Sequence, residues 1–269
     1  MRHMIDSDPN GMIAGISLFA LDMDGTIYLG EKWIDGAMDF FKAVKRAGKD
    51  FIFLTNNSSK NPEVYVTKLH RMGMDASEDM IVTSGQATVD YLNENFPGKK
   101  VFLLGNEMLA KEFCEDGIDL VTEGAEVVVT AFDTSLDYAK MCMVCDYVRE
   151  GLPYIETHPD LNCPTETGFI PDAGSIQAFI KASTGRDPDV IIGKPYGHII
   201  DYMIKRTGAE KEKTAMIGDR LYTDVAAGVN NGLKGILVLS GEAGLSDLDA
   251  SSVSPDLIFS SLREMIPYV

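Results

Sequence analysis

Short apolar runs alternate with amphipathic stretches at both ends of the chain. Each run is bounded by glycine or polar residues, as is typical of buried parallel strands. The predicted strands are 16–21, 51–54, 190–193, 214–217 and 235–239. The predicted helices are 36–48, 61–71, 197–207 and 223–231. This alternation predicts an α/β fold with a doubly wound parallel sheet and right-handed crossovers.

The middle of the chain has its own strand and helix pattern. Strands are predicted near 101–104, 126–130 and 153–157, with helices between them. We therefore expect a core domain formed by 1–82 and 185–269, interrupted by an α/β cap domain at 83–184.

Polar side chains follow four of the apolar runs in the two core segments. The residues at these run ends are Asp22, Thr55, Lys194 and Asp219. In open parallel sheets, ligands bind outside the carboxyl ends of the strands. The four run ends therefore predict one shared site.

The Asp22-x-Asp24 pair is the centre of that site. Two carboxylates in one place suit a hard cation such as Mg²⁺, which prefers oxygen ligands and is usually shared with substrate phosphate. They also allow one carboxylate to act as nucleophile and the other as general acid and base. Taken alone, the pair also fits an exposed turn or the metal–nucleotide motif of a glycosyltransferase. A calcium loop is excluded because Gly25 is fourth, where that loop needs glycine at its sixth position.

The other run ends add phosphate-binding chemistry. Thr55 offers a hydroxyl and Asn56 an amide, although in isolation a plain turn is the favoured interpretation of this Thr-Asn-Asn string. The point charge of Lys194 suits a phosphate or an aspartate nucleophile. Asp219 could complete a metal shell, and Asp224 could either orient a neighbouring group or cap a helix.

Composition narrows the class of protein. The formal net charge is −17 over 269 residues, which argues against nucleic-acid binding because that needs a basic face. The apolar fraction is 45%, and the apolar runs fall well short of the roughly 20 residues of a membrane span. Residues 1–10 are polar and mixed, without the apolar centre of a signal peptide. We expect a cytoplasmic protein that binds neither nucleic acid nor membrane.

Cys142 and Cys145 form a C-x-x-C pair, which raises the alternatives of a zinc or redox site. A second pair at metal-ligand spacing does not follow, and His158 and Cys163 are the nearby candidates. The surrounding segment has helical spacing of apolar residues. Two reduced cysteines that pack into the core are therefore the favoured interpretation.

The motifs together resemble those of the haloacid dehalogenase superfamily of phosphohydrolases, and in particular its NagD-like subfamily. The resemblance runs from about Leu18 to the C-terminus. The matching strings are DMDGT at 22–26, DGA at 35–37, TNNS at 55–58, TSGQAT at 83–88, GKP at 193–195 and GDRLYTD at 218–224. The resemblance implies a Rossmann-like core with an inserted cap domain, which agrees with the alternation of strands and helices.

The resemblance implies a role for each acidic residue of the motifs. Asp22 would be the nucleophile that takes the phosphoryl group as an aspartyl phosphate. Asp24 would protonate the leaving oxygen and then deprotonate the hydrolytic water. Mg²⁺ would be held by the Asp22 carboxylate, the Asp24 backbone carbonyl and Asp219, with Asp224 in support.

The resemblance also implies how the phosphate is bound. Thr55 and Asn56, followed by Asn57 and Ser58, would bind the transferring phosphoryl oxygens. Lys194 would neutralise charge beside the nucleophile. Phosphoryl transfer demands mainly positioning and charge stabilisation, which these groups would supply together with the metal.

The cap is expected to select the substrate. Within it, the segment 156–162 reads as a strand followed by a polar loop, and His158, Asp160 and Asn162 could hydrogen-bond a leaving group. An ordinary Pro-Asp turn explains the same residues equally well, and the resemblance favours the functional role.

These observations predict a magnesium-dependent phosphatase of small phosphorylated metabolites, such as sugar phosphates or nucleoside monophosphates. A phosphomutase or phosphotransferase on the same scaffold is the alternative enzyme. A non-catalytic phosphometabolite-binding protein is the alternative from another class. The sequence leaves the substrate and a homo-oligomeric state open.

Overall fold

The computed structural model describes residues 9–165 and 167–269. The strands are β1 Leu18–Leu21, β2 Tyr28–Leu29, β3 Lys32–Trp33, β4 Asp50–Thr55, β5 Ile81–Thr83, β6 Lys100–Leu104, β7 Asp119–Leu120, β8 Val127–Thr130, β9 Tyr154–Glu156, β10 Asn162–Thr165, β11 Gly168–Pro171, β12 Val190–Ile191, β13 Thr214–Gly218, β14 Lys234–Val238 and β15 Leu257–Phe259. The expectation about a signal peptide falls on residues 1–10, of which 1–8 lie outside the described residues.

The α-helices are α1 Pro9–Ala14, α2 Ala37–Arg46, α3 Pro62–Arg71, α4 Ser84–Asn95, α5 Glu107–Glu115, α6 Tyr138–Arg149, α7 Ala173–Thr184, α8 Gly197–Thr207, α9 Ala226–Asn230 and α10 Leu262–Met265. A π-helical turn over Leu221–Val225 leads into α9. Short 3₁₀ turns lie at Glu78–Met80, Lys211–Lys213, Leu245–Leu248 and Ile266–Tyr268.

The described residues form two structural units. The first contains residues 9–55, 66–82 and 194–269, and the second contains 56–65 and 83–193. The predicted division into 1–82 with 185–269 and a cap of 83–184 stays a prediction. The segments 56–65 and 185–193 fall in the second unit.

The first unit is built on a six-stranded sheet of order β15-β14-β13-β1-β4-β5. Strand β1 pairs in parallel with both β13 and β4. All four residues of β1 and all five of β13 are buried, because helices cover both faces of a doubly wound sheet.

The chain order reverses direction between β1 and β13 in this sheet. From β1 the chain proceeds to β4 on one side, and it later returns to β13 on the other. Such a reversal opens a crevice at the carboxyl ends of the two strands, which is where ligands bind in folds of this kind. Asp22 directly follows β1, and Asp219 directly follows β13.

The second unit contains a five-stranded sheet of order β12-β9-β8-β6-β7, whose paired strands are all parallel. Helices α6 and α7 pack on it around a core that includes Phe102, Val128, Val144 and Ile180. Strands β10 and β11 form a separate antiparallel hairpin.

The predicted α/β fold with a doubly wound parallel core is confirmed. One strand assignment is wrong: the run at 190–193 was expected in the core sheet, but β12 pairs with β9 in the sheet of the second unit. The strand is two residues long and half-buried, so its apolar pattern carries too little information to indicate which sheet it joins.

The C-x-x-C pair divides between core and surface. Cys145 is buried among the core residues of the second unit, whereas Cys142 is exposed, and both are free thiols. The expectation that both cysteines face the core is therefore wrong for Cys142. In residues 9–165 and 167–269, helices with the length and apolar character needed for a membrane crossing are absent.

Candidate active site

The turn after β1 sets the position of Asp22. Its backbone N–H still donates to Ile217 O across the sheet at 2.9 Å, so the ladder between β1 and β13 extends to this residue. The chain then turns tightly, and Gly25 adopts φ +87°. A Cβ at Gly25 would lie 2.4 Å from Asp219 Oδ2, so this position has no room for a side chain.

Lys194 is the cation of the site. Its side chain is buried, and its Nζ donates to Asp22 Oδ1 at 2.5 Å, to Asp224 Oδ1 at 2.7 Å and to Leu54 O at 3.1 Å. Burial alone would lower the pKa of Lys194, but the carboxylates of Asp22 and Asp224 outweigh it and raise that pKa above its ordinary value. The amine therefore stays charged beside the Asp22 carboxylate.

Asp219 is held by two hydrogen bonds. Its Oδ1 accepts from Thr26 Oγ1 at 3.2 Å, and its Oδ2 accepts from the backbone N–H of Glu242 at 2.7 Å. Burial, followed by the negative charge of Asp22, raises the pKa of Asp219 to about 6. Nearby positive charge would therefore be favourable at this carboxylate.

Asp224 lies in the π-helical turn and is also buried. Its two oxygens accept from Lys194 Nζ and from the backbone N–H of Arg220, the latter at 3.1 Å. Burial raises its pKa to about 7 in spite of the opposing charge of Lys194. These contacts orient Lys194, so one role weighed from sequence, the orientation of a neighbouring group, matches its hydrogen bonds.

The acidic cluster fits a divalent cation. Asp22, Asp219 and Asp224 each offer a carboxylate oxygen, and these atoms lie within 4.8 Å of one another. Three carboxylates carry more negative charge than Lys194 neutralises, which is why burial and mutual repulsion raise the pKa values of two of them. An all-oxygen donor set selects a hard ion, although it does not identify which one.

The other two predicted residues of the first unit lie at its strand ends. Thr55 is the last residue of β4 and is buried. Asp24 is exposed in the turn that follows β1. Their predicted roles in phosphate binding and proton transfer stay predictions.

A second group of predicted residues meets within the second unit. Asn56 Nδ2 donates to both carboxylate oxygens of Asp160, at 3.2 and 3.3 Å. Ser58 Oγ lies 3.1 Å from Thr157 Oγ1 and 3.5 Å from His158 Nδ1. The TNNS motif and the 156–162 segment are thus joined by side-chain hydrogen bonds.

His158 is fully buried, and its Nε2 lies 2.9 Å from Asp172 Oδ1. That carboxylate oxygen also caps the start of α7 through the N–H of Ala173 at 2.7 Å. The imidazole therefore links the loop that carries Asp160 to the first turn of α7. This burial favours a role in positioning the loop, and direct contact of His158 with a leaving group stays a prediction.

The remaining predicted residues have distinct surroundings. Asn57 Oδ1 accepts from the N–H and the hydroxyl of Ser59, which closes a tight local turn. Asn61 Oδ1 accepts from the backbone N–H of Val64 at 3.2 Å, so Asn61 caps α3. Asn162 is exposed on β10.

Three residues near the acidic cluster had no role assigned from sequence. They are Thr26, Arg220 and Glu242. Thr26 belongs to the DMDGT string, and this position is the sequence signal that could have indicated its role; its side chain is fully buried. Glu242 lies in the loop after β14 and belongs to none of the sequence motifs. Its backbone contact with Asp219 depends on the tertiary fold alone.

Comparison with known proteins identifies the family. Residues 19–119 match the model of the haloacid dehalogenase-like hydrolases, and residues 191–265 match a second model described as HAD-hydrolase-like. The acid sugar phosphatase of Staphylococcus aureus strain MRSA252 is 36% identical over 249 residues, which cover 92% of this chain and 96% of that protein.

Solved structures agree with this relationship. The 4-nitrophenylphosphatase from Thermotoga maritima superposes with a TM-score of 0.92 at 44% identity, covering 95% of this chain and 98% of that one. NagD from E. coli K-12 superposes with a TM-score of 0.86 at 30% identity, covering 93% and 98%. The chain therefore belongs to the haloacid dehalogenase-like hydrolases, in their NagD-like branch, and is a phosphatase, that is, a phosphoric monoester hydrolase.

Proposed function

We propose that this phosphatase hydrolyses small phosphorylated metabolites through an aspartyl-phosphate intermediate on Asp22, with Mg²⁺ as its cofactor. The observation that carries the proposal is the contact of Lys194 Nζ with Asp22 Oδ1 at 2.5 Å, beside two further carboxylates. A non-catalytic phosphate binder would have no use for the half-buried Asp22 carboxylate in the place where a phosphate anion must approach.

In the first half-reaction, an oxygen of Asp22 attacks phosphorus while the bond from phosphorus to the leaving oxygen breaks. Because Oδ1 accepts from Lys194, we assign the attack to Oδ2. The ammonium group of Lys194 offsets the charge that builds up as a phosphate anion approaches a carboxylate. Asp24 donates a proton to the leaving oxygen, which departs as an alcohol.

In the second half-reaction, water attacks phosphorus and the bond from phosphorus to Asp22 breaks. Asp24, now ionised, accepts the proton of that water. Inorganic phosphate leaves and both carboxylates return to their starting states. The hydroxyl of Thr55, at the carboxyl end of β4, and the amide of Asn56 are assigned to the phosphoryl oxygens.

Asp22 and Asp219, with Asp224 in support, are the side chains that would hold Mg²⁺. When bound, the ion supplies positive charge that stabilises the phosphoryl group during transfer. Thr26 and the N–H of Glu242 keep Asp219 in a fixed orientation for this task. The all-oxygen donor set supports magnesium over zinc, which more often takes nitrogen or sulfur ligands.

The choice of substrate is assigned to the second unit. Asp160 and Asn162 would meet the leaving group, with His158 holding their loop through Asp172. Relatives named for sugar phosphate and for 4-nitrophenyl phosphate support small phosphate monoesters as the substrate class.

A panel of phosphorylated metabolites, assayed by release of inorganic phosphate, tests the proposal. We expect hydrolysis of at least one small monoester, loss of activity in excess chelator and recovery with magnesium. Asp22→Asn should abolish turnover while the fold is retained. Full activity in chelator, or rescue by zinc alone, would contradict the proposed metal site.

A further inference from the structure

The loop that follows β14 runs directly over the metal-ligand candidates. Ser240 Oγ donates to Gly25 O at 2.9 Å, and Ala243 N donates to Asp219 O at 3.0 Å. Between them, the N–H of Glu242 donates to the Asp219 carboxylate at 2.7 Å. The 240–243 loop therefore contacts both the turn after β1 and the residue after β13.

The backbone of the 240–243 loop packs directly against the Asp219 carboxylate at Gly241. A Cβ at Gly241 would lie 2.0 Å from Asp219 Oδ2, so a side chain here would displace the carboxylate. The orientation of Asp219 consequently depends on where the 240–243 loop lies.

The Glu242 side chain fastens the loop to the segment that carries Asp219. Its Oε2 lies 2.9 Å from Arg220 Nε, and its Oε1 accepts from the Tyr222 hydroxyl at 2.8 Å. Arg220 immediately follows Asp219. The backbone N–H of Glu242 therefore binds the Asp219 carboxylate, while the side chain of Glu242 binds the next residue along the chain.

We propose that Glu242 is a positioning residue for the metal ligand Asp219. By holding Arg220 and Tyr222, it fixes the loop whose N–H holds the Asp219 carboxylate in place for a divalent ion. The inference rests on the metal site put forward under the proposed function. Groups that orient a ligand typically change metal affinity by about 10–100-fold when removed.

The test compares Glu242→Ala with the parent chain, using magnesium chloride as the probe. Magnesium affinity is measured by calorimetric titration without substrate, and kcat is measured as a function of magnesium concentration. We expect the magnesium Kd and the magnesium concentration for half-maximal activity to rise about 10-fold. At saturating magnesium, kcat should return close to that of the parent.

Two further variants, one conservative substitution and one control, are measured in the same way. Glu242→Gln retains one carbonyl acceptor, so it should lose part of the affinity. Glu210→Ala is the matched control, because Glu210 forms an exposed ion pair with Lys213 at the opposite end of β13. It should leave magnesium binding unchanged. Thermal unfolding in chelator should be similar for all variants, since the Glu242 side chain is 44% exposed.

The outcomes separate this inference from the metal requirement itself. If the parent needs no metal, the proposed function fails, and the inference fails with it. If the parent needs magnesium but Glu242→Ala binds it as tightly as the parent, the inference alone is wrong. A loss of kcat that saturating magnesium does not restore would also overturn it, because Glu242 would then act on substrate or chemistry.

Discussion

Lys194 gives the sharpest test of the electrostatics at the acidic cluster. Its side chain is 2% exposed and that of Asp224 is 1% exposed, so neither charge can be solvated by water if its partner is removed. Lys194→Met keeps most of the side-chain volume and removes the charge. Breaking a buried ion pair in this way typically costs about 3–5 kcal/mol of folding free energy.

A second substitution shows whether that cost comes from the orphaned carboxylate. Asp224→Asn in the Lys194→Met background removes the buried charge that Lys194 had neutralised. We expect the double variant to recover about 1–3 kcal/mol relative to the sum of the single losses. Activity should not recover, because the double variant still lacks the ammonium group beside Asp22. A loss of about 100–1000-fold in kcat/KM is expected for each variant that lacks Lys194.

The assay is urea unfolding in excess chelator, so that metal binding does not offset the charge. The fluorescence of Trp33, the single tryptophan of the chain and part of the first unit, reports the transition. Lys213→Met, in an exposed ion pair, serves as the control and should unfold with the parent. If Lys194→Met has the same midpoint and slope as the parent, or the two substitutions add, the reasoning is refuted.

Three further predictions concern single positions. Asp160→Ala should change the order of kcat/KM among phosphorylated metabolites, while kcat/KM for a small aryl phosphate should fall much less. Equal losses of kcat/KM on every substrate would show that Asp160 does not determine substrate specificity. Gly25→Ala should lower kcat/KM more than 10-fold, because alanine is strained at φ +87° and its Cβ would displace the Asp219 carboxylate; near-parent kinetics would contradict this close contact. Burial, followed by the charge of Asp172, raises the pKa of Glu156 well above its ordinary value, so the folded state loses stability as pH rises above the unfolded-state pKa. Glu156→Gln does not titrate at this position, and its unfolding free energy relative to the parent should therefore increase between pH 5 and pH 8. A difference that stays constant over this range would contradict the prediction.

The central strands could be predicted from sequence because their residues are apolar on both faces. Strands β1, β4 and β13 are short, almost fully buried runs bounded by polar residues, so their ends and the side chains that follow could be identified. The rule that ligands bind at carboxyl strand ends then brought Asp22 and Asp219 to one site.

Other features depend on tertiary structure that the pattern does not contain. Strand β12 is too short to reveal that its partner is β9. The β10–β11 hairpin has no buried face, and all four residues of β11 are exposed, so alternation gave no signal. The contact of Glu242 with Asp219 joins residues 23 apart in sequence through a backbone N–H, which carries no side-chain signature.

The formation of an acyl phosphate on Asp22 is the central claim, and chemical trapping tests it directly. Rapid quenching during turnover, followed by borohydride reduction, converts an aspartyl phosphate into homoserine, which peptide mass spectrometry can locate. We expect substrate-dependent conversion at position 22 and none in Asp22→Asn. Turnover without any modified peptide, or modification at another carboxylate, would contradict it.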